Sequence, residues 1–437
     1  MLQTIRNAFK IKDLRKKLLY TFMMLIVIRI GCQLPIPGID ATQIKGALEN
    51  MFGDSFNMIN TLTGGSFETM SIFALNVSPY ITSSIIVQLL TIAIPALEEL
   101  QRDGEDGRRK LAEITRYLTV VLAVLEGLGT SIGFGRMGYL GDYNAMTIAT
   151  MVITLTAGSA LVMWIGEQIT VKGVGNGISI ILMINIISRI PSDLGDLYNK
   201  FVKDKAIGPA ILSAVIIIAI IIVTVVLVIM LQDAERRIPV QYSGKMQGRR
   251  TVGGQSTHIP LKVNTASVIP IIFASSIMAF PQMVTQLFNK TATGFWSKVF
   301  MSLSSNNWFD MAHPKRNIGL LIYILLVVFF AYFYTSITFN PIEVANNMKK
   351  SGGFIPGIRP GKPTQDHLTK ILNYIIFIGA VGLVIVAIIP IFFSGVFGAN
   401  VSFGGTSLII VVGVILETLK SIESQMLVRH YKGFLND

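Results

Sequence analysis

The pattern of apolar and polar positions divides this chain into long apolar runs separated by shorter, largely basic connections. Ten of these runs are close to the ~20 residues that a helix needs to cross the hydrocarbon core of a bilayer. We therefore predict ten membrane-spanning helices, at approximately 18–34, 74–96, 115–135, 146–169, 177–193, 209–231, 266–288, 317–339, 373–395 and 404–422. The fifth span is expected to end early, because Arg189, Pro191 and Asp193 interrupt it. The pattern predicts an all-α polytopic membrane protein.

One stretch, residues 53–95, departs from this regular pattern. Its first apolar run, 56–62, stops at Thr63-Gly64-Gly65 and is too short to cross a bilayer. The run that follows is long enough to cross, but polar residues interrupt it, among them Ser83, Ser84 and Gln88. Irregular backbone at membrane depth is tolerated only where protein or a water-filled cavity surrounds it. The pair of runs therefore predicts a segment that borders a pathway through the protein.

Lys and Arg are concentrated in alternate connections, which sets the predicted orientation in the membrane. Both termini are expected on the cytoplasmic side, and this agrees with an even number of spans. Five spans in residues 1–208 and five in residues 209–437 would place the two halves in opposite orientations. This arithmetic permits an inverted repeat around a central pathway, although the sequence shows no clear self-similarity between the halves.

Two cytoplasmic connections, about 232–265 and 340–372, are longer than turns. Alternation around 238–242 and 259–263 predicts a short β-hairpin in the first. In the second, Asn340-Pro341 is expected to open a short helix that ends at Lys350, and a Gly- and Pro-rich tip then brackets Arg359. These connections are either docking surfaces or solvated basic loops that only fix the topology.

Composition agrees with the membrane class and excludes several others. Of the 437 residues, 51% are hydrophobic and 14% are charged, which is not the balance of a soluble domain. The net charge of +12 lies in connections between apolar runs, where it suits membrane surfaces and cytoplasmic partners. The single cysteine, Cys32, cannot form an internal disulfide. No removable signal peptide is expected at the N-terminus.

The residues that catalysis or ion coupling would need are scarce. The four histidines lack metal-ligand spacing, and no nucleophile with a base is recognisable, so no metal, cofactor or enzyme activity is expected. Glu126 is the ionisable residue expected nearest to mid-membrane, either as a functional carboxylate or as a hydrogen-bonded structural one. Glu126 and the broken second span leave an ion-coupled secondary transporter as the alternative function.

Six short motifs, spread in order from the second span to the last, carry a resemblance to bacterial SecY, the large channel subunit of the protein translocase. The motifs are Ser71–Leu75, Pro79–Ile81, Gly173–Ser179, Gln255–Lys262, Phe354–Gly361 and Phe403–Ser407. The resemblance implies ten transmembrane helices in two inverted five-helix halves around a central pore. It also implies that the short half-helix at about 57–70 is a plug that closes the pore from outside.

The resemblance further assigns site residues. The plug would include Asn57, Ile59, Leu62, Gly64, Gly65 and Phe67, and the apolar pore ring would be Ile81, Ile85, Leu182, Ile186, Ile272 and Ile410. Leu182 stands where isoleucine is common in the family. A lateral gate between the second and seventh spans would use Ser83, Ser84 and Gln88, and docking would use Arg249, Arg250, Lys262 and Arg359.

By the same resemblance, the function is translocation of unfolded secretory polypeptides across the cytoplasmic membrane and lateral release of transmembrane segments into it. The implied partners are SecE-like and SecG-like small membrane subunits, a SecA-like ATPase motor, the ribosome, signal sequences, unfolded preproteins and membrane lipids. The sequence contains no phosphate-binding loop, so the driving force is expected to come from a docked partner.

Overall fold

The architecture was examined in a computed structural model that describes residues 2–37, 60, 63–136, 138, 143–203, 207–242, 245–247, 250–252, 256–266, 269–275, 277–278, 308, 317–397 and 405–433. Two compact units are distinguished. Unit 1 comprises Met1–Asp196, Met283–Thr291 and Val414–Asp437, and unit 2 comprises Leu197–Gln282 and Ala292–Gly413. Each unit is described by itself.

Helices dominate unit 1. They are α1 Leu2–Lys10, α2 Lys12–Gly31, α3 Ser78–Ala93, α4 Pro95–Arg102, α5 Glu105–Arg136, α6 Ala145–Lys172 and α7 Gly177–Phe201, whose last turn enters unit 2. One apolar cluster includes Phe67, Met70 and Leu75 before α3, together with Ala123 of α5 and Leu155 of α6. This cluster buries the segment that precedes α3 against two long helices.

A sharp break separates α3 from α4. The direction of the helix axis bends by 104° between α3 and α4. Ile94, between them, has an extended backbone with φ −114° and ψ 110°, as expected for the residue before a proline. Pro95 starts α4, a position that tolerates its missing amide hydrogen. The helix within the predicted span 74–96 is therefore shorter than the span, since it covers Ser78–Ala93, and the chain changes direction where this helix ends.

The helix α7 continues further than the sequence indicates. Arg189 and Pro191 were expected to end it near residue 193, but the helix runs to Phe201. The expectation was wrong because a charged side chain limits the apolar length of a segment but does not by itself end an α-helix. Arg189 forms an ion pair with Glu68. Pro191 removes one amide donor without ending the helix.

Unit 2 contains α8 Ile207–Asp233, α9 Ile318–Thr338, α10 Pro341–Lys350 and α11 Lys362–Phe397, and the helix α12 Gly405–Gly433 starts in it and ends in unit 1. The predicted short helix at Asn340 is confirmed. The Asn340 side chain accepts hydrogen bonds from the amides of Ile342 and Glu343, and Pro341 occupies the first turn. The helix ends at Lys350, as predicted.

Strands of unit 2 come from both long connections. They are β1 Glu235–Tyr242, β2 Lys245–Gln247, β3 Arg250–Val252, β4 Ser256–Lys262 and β5 Gly353–Phe354. The predicted hairpin is confirmed, because β1 and β4 pair antiparallel with Ile238 opposite Ile259. The second connection adds β5 to the other side of β1, which gives the order β4-β1-β5. The two connections therefore fold together.

Six helices among the described residues are long and apolar enough to cross a membrane. They lie at Glu105–Arg136, Ala145–Lys172, Gly177–Asn199, Ala214–Asp233, Ile318–Lys350 and Lys362–Ile389, and the bent pair α3 and α4 meets the same criteria when taken together. The other predicted spans fall on α2, on α12 and on residues 266–288, of which the structure describes helix at 269–275 and 277–278.

Candidate functional site

The segment before α3, residues 63–77, is the least regular part of unit 1 and is called here the turn segment. Thr63 is helical, and turns occupy Gly64 to Met70. Four of its residues have positive φ: Gly64 at 68°, Gly65 at 86°, Met70 at 44° and Asn76 at 48°. Such a backbone is costly for Met and Asn, and it persists only where the surroundings hold it.

These turns replace the helix that was predicted over the second half of 57–70, because two consecutive glycines with positive φ cannot continue an α-helix. Three of the plug residues implied by the resemblance fall in the turn segment: Gly64, Gly65 and Phe67. The other three, Asn57, Ile59 and Leu62, lie outside the described residues.

Several polar groups of the turn segment are paired inside the protein. The Ser66 hydroxyl lies 2.8 Å from the Thr63 carbonyl oxygen and 2.9 Å from that of Phe73. The Asn76 side chain donates to the Thr63 carbonyl at 3.3 Å, and the Ser159 hydroxyl of α6 donates to the Asn76 carbonyl at 3.1 Å. Internal pairing of this kind is required of irregular backbone at membrane depth.

The chain that follows α2 fastens the other side of the turn segment. The Ile36 amide donates to the Met70 carbonyl at 3.0 Å, and the Ile72 amide donates to the Leu34 carbonyl at 2.9 Å. Within α2 itself, the Arg29 guanidinium donates to the Gly64 carbonyl at 3.2 Å. The turn segment is thus held by α2 and α6 together.

A nearly buried ion pair joins the turn segment to α7. The Glu68 carboxylate lies 2.8 Å from the Arg189 guanidinium, and the two side chains are 11% and 18% exposed. The same carboxylate oxygen accepts a hydrogen bond of 2.6 Å from the Asn60 side chain, whose own oxygen accepts from the Glu68 amide. Burial makes the removal of one partner of such a pair strongly unfavourable, because the charge that remains is poorly solvated.

Sequence reasoning did not identify this ion pair. The sequence placed Arg189 inside a span without indicating its partner. The signal was available in principle, because a cation in a span requires an internal partner and Glu68 is one of the two acidic residues of the stretch 53–95.

The predicted ring residues lie on three helices and one partly described helical segment. In unit 1, Ile81 and Ile85 are half-buried on α3, whereas Leu182 and Ile186 of α7 are buried. Each pair is spaced i, i+4 and so shares one helix face. In unit 2, Ile272 is half-buried in the helical stretch 269–275, and Ile410 of α12 is buried. The structure brings the residues together within each pair.

The three predicted gate residues of α3 have different environments. Ser83 is fully buried, and its hydroxyl donates to the Thr115 carbonyl of α5 at 2.7 Å. This bond lies inside unit 1, between α3 and α5. Ser84 is half-buried and Gln88 is exposed. The assignment of Ser83, Ser84 and Gln88 to a lateral gate stays a prediction.

The three-stranded sheet, α10 and the first turns of α11 form one small body in unit 2, called here the loop platform. Its core is built from buried apolar residues of both long connections, namely Ile238, Val240, Leu261, Met348, Ile355, Leu368 and Ile375. A shared core fixes the two connections relative to each other, since neither can bury its apolar residues alone.

The tip of the loop platform presents Arg359. Ile355 is buried before it, and the Ile358 amide closes a turn onto the Ile355 carbonyl at 3.0 Å. The Arg359 carbonyl accepts a 2.8 Å hydrogen bond from the Thr364 hydroxyl, while the Arg359 residue itself is exposed. Arg359 is thus exposed in the Gly- and Pro-rich segment that was predicted to bracket it, and its docking role stays a prediction.

The other predicted docking residues are less fully described. Lys262 is exposed at the end of β4. Arg250 begins β3, and Arg249 lies outside the described residues. Of the predicted docking residues, Lys262 and Arg359 are thus the two whose side chains are described and exposed.

Transporter or metal chemistry finds no support in the described part of the chain. Glu126 is half-buried on α5, and no salt bridge reaches it among the described residues. The same residues contain no group of three or more His, Cys, Asp or Glu side chains that could hold a metal ion.

Comparisons with known proteins agree with this architecture. A profile of the SecY family matches residues 71–419. Protein translocase subunit SecY from Streptomyces scabiei is 46% identical over 450 residues, and that from Bacillus subtilis strain 168 is 43% identical over 446 residues; each alignment covers 100% of both chains.

Two solved structures have the same fold at low sequence identity. One is described as the structure of a protein conducting channel, with a TM-score of 0.67 and 18% identity. The other is Sec61 in the canine ribosome-channel complex from the endoplasmic reticulum, with a TM-score of 0.65 and 18% identity. Each match covers 94% of this chain and 92% of the other. The predicted all-α polytopic membrane fold is confirmed.

Proposed function

The chain belongs to the SecY family and is therefore the channel-forming subunit of a protein translocase, not an enzyme, and we propose how its residues divide the work of that channel. Unfolded secretory polypeptides cross the cytoplasmic membrane through the chain's central pore. Sufficiently apolar transmembrane segments leave sideways into the lipid. The family assignment removes the reason to retain the secondary transporter.

One observation carries this proposal: an irregular, internally hydrogen-bonded segment lies directly before a helix whose ring candidates share one face. The turn segment supplies the described part of a plug that seals the resting pore. Several of its polar groups pair with α2, α6 and α7, as irregular backbone surrounded by protein at membrane depth requires. A plug of this kind can sit at membrane depth and still be displaced as a unit.

The six aliphatic ring residues, Ile81, Ile85, Leu182, Ile186, Ile272 and Ile410, form the constriction. A pore that transports polypeptides of any sequence must not bind any type of side chain tightly, because the translocating polypeptide has to leave the pore again. Aliphatic walls offer no hydrogen bond to hold a passing polypeptide, and a narrow apolar constriction blocks ions by dewetting. The apolar character of all six residues supports this assignment.

Lateral exit is assigned to the seam between α3 and the span that contains Ile272. Ser84 and Gln88 supply polar contacts there, and Pro270, in the helical stretch of that span, permits bending. Lipid then separates an apolar segment, which partitions sideways, from a secreted one, which continues outward.

The loop platform docks the source of motive force. Because the sequence has no phosphate-binding loop, energy comes from a SecA-like ATPase motor or from a translating ribosome. Arg249, Arg250, Lys262 and Arg359 make the contacts, and the basic charge also suits ribosomal RNA. The likeness to a channel solved in a ribosome complex supports this role.

The assembly and its orientation follow from the same premise. SecE-like and SecG-like small membrane subunits accompany the chain, and signal sequences open it. Residues 1–208 and 209–437 act as the two halves, and both termini lie in the cytoplasm of the cell whose inner membrane holds the channel. The distribution of Lys and Arg supports this orientation.

Reconstitution of the complex in proteoliposomes tests the proposed function. A secretory precursor presented with its motor and ATP should become protected from added protease, and the protection should depend on its signal sequence. Glu126→Gln should leave this protection within about twofold of the wild type, since Glu126 has no assigned role. Proton- or sodium-driven solute uptake that Glu126→Gln abolishes, without precursor protection, would contradict the proposal.

A further inference from the structure

The face of α7 that carries the proposed ring residues also carries the residues that hold the turn segment. Leu182, Ile186 and Arg189 are spaced i, i+4 and i+7, so their side chains lie on one side of the helix. Arg189 is only about 4.5 Å further along the helix axis than Ile186, at 1.5 Å per residue. A displacement of this part of α7 therefore moves both residues together.

Arg189 contacts the turn segment through an ion pair that is largely shielded from water. Its partner Glu68 is 11% exposed and also accepts the Asn60 side chain at 2.6 Å. If Arg189 moves away, the Glu68 carboxylate keeps the Asn60 hydrogen bond but loses the ion pair with Arg189 in a site that water reaches poorly. Separating an ion pair in such a place is unfavourable, so the ion pair favours the position that the turn segment occupies here.

A second arginine reaches the turn segment from another helix. Arg29 of α2 donates to the Gly64 carbonyl at 3.2 Å. Gly64 is packed so closely that a Cβ atom there would lie 2.7 Å from the Arg29 guanidinium and 3.0 Å from the Asn185 backbone of α7. With φ at 68°, the position is also unfavourable for any other residue. The Gly64 backbone is thus packed closely between α2 and α7.

We propose that Arg189 and Arg29 clamp the turn segment in the resting channel, and that widening of the ring at Leu182 and Ile186 frees it by drawing Arg189 away from Glu68. This inference rests on the proposed plug and ring. It makes Glu68, Arg189 and Arg29 positioning residues: they act on the seal and do not touch the translocating chain. A polypeptide that pushes α7 outward thereby unlocks the plug.

Resting ion conductance in planar bilayers, measured on the assembled complex without substrate, tests the clamp. Glu68→Gln and Arg189→Gln should each raise the resting open probability by roughly tenfold or more, since each removes the ion pair that joins the turn segment to α7. The double reversal, Glu68→Arg with Arg189→Glu, should restore much of the seal. The matched control is Glu98→Gln, which breaks the exposed pair of Glu98 with Arg102 and should leave conductance unchanged.

Two further variants distinguish a failure of the clamp from a failure of the plug. Arg189→Lys retains the charge and most of the packing, so it should assemble normally and leak less than Arg189→Gln. Deletion of 57–70 is the reference for a lost seal. If the deletion leaks but Glu68→Gln and Arg189→Gln stay tight, the clamp is wrong and the plug stands. A reversed pair as leaky as the single variants also overturns the clamp, and a tight deletion overturns the proposed plug itself.

Discussion

At the scale of single residues, Arg359 shows how a surface side chain gains a defined position. Its charge faces solvent, but its backbone is fixed by the Thr364 hydroxyl and by the buried Ile355 that starts the turn. Positive φ at Gly357 and Gly361, 82° and 105°, allows the chain to turn on either side of it. Such a residue can contribute strongly to binding, because little side-chain and loop freedom is lost when a partner docks.

We predict that Arg359→Glu lowers motor-dependent translocation by roughly tenfold or more, since the loss of an arginine anchor at an interface often costs ~2 kcal/mol or more. Initial rates of precursor protection in proteoliposomes measure this effect. Lys350→Glu reverses another exposed charge of the loop platform and serves as the control. Equal losses in the two variants would mean that net charge matters and that Arg359 has no special role.

Ser83 shows the limit of reading residues from the sequence. The density of polar residues in its span correctly indicated a need for internal partners. Sequence alone did not show which neighbouring helix supplies the partner, and the hydroxyl bonds to the Thr115 carbonyl of α5. Two side chains five residues apart, Ser83 and Gln88, point to different surroundings, and only packing decides between them.

At the scale of elements, the pairing of β5 with β1 joins two connections that are more than a hundred residues apart. Only two residue pairs make the junction, Gln241 with Phe354 and Tyr242 with Gly353. Gly353 is buried against the Tyr242 ring, and a Cβ atom there would lie 2.8 Å from a ring carbon. The junction therefore depends on the absence of a side chain at Gly353.

Gly353→Val should separate β5 from β1, because the added side chain clashes with Tyr242 at a cost of about 1–3 kcal/mol. The measurement is amide hydrogen exchange in the reconstituted complex, where protection of 235–242 and 353–358 should fall. Thr257→Val, an exposed substitution on β4, is the control and should change nothing. Unchanged exchange in Gly353→Val would show that the loop platform does not rely on this junction.

The elements that follow local rules were predictable, and those that depend on distant contacts were not. The length of the apolar runs predicted the long helices, Asn340-Pro341 predicted the start of α10, and alternation predicted the β1–β4 hairpin. The strand β5 is too short to show a period. Arg189 of α7 bonds to Glu68, which lies 121 residues earlier in the sequence, and no local pattern indicates that contact.

The site was predictable only in part for a similar reason. Aliphatic residues at i, i+4 on a helix are as typical of ordinary packing as of a pore lining, so periodicity did not distinguish Ile81 and Ile85 from core residues. The resemblance to a family supplied their assignment. The turns at Gly64 and Gly65 were marked by the Thr-Gly-Gly sequence, whereas their contacts with Arg29 and Arg189 emerge only from the fold.

At the scale of the whole molecule, we propose that three regions each have one task. In this proposal the turn segment seals the pore, the aliphatic ring lets any polypeptide pass, and the loop platform receives the partner that supplies energy. None of these tasks requires a cofactor or a reactive side chain. The scarcity of catalytic residues in the sequence is the expected signature of such a division of labour.

The most direct measurement of the central claim is to trap a secretory chain during translocation and map its contacts with photo-crosslinkers placed one at a time in the channel. Crosslinkers at Ile81, Leu182, Ile272 and Ile410 should capture the trapped chain. Crosslinkers at Val121 and Ile222, which are exposed apolar positions on α5 and α8, should capture little of it. Capture at Val121 and Ile222 with none at the four ring positions would contradict the account.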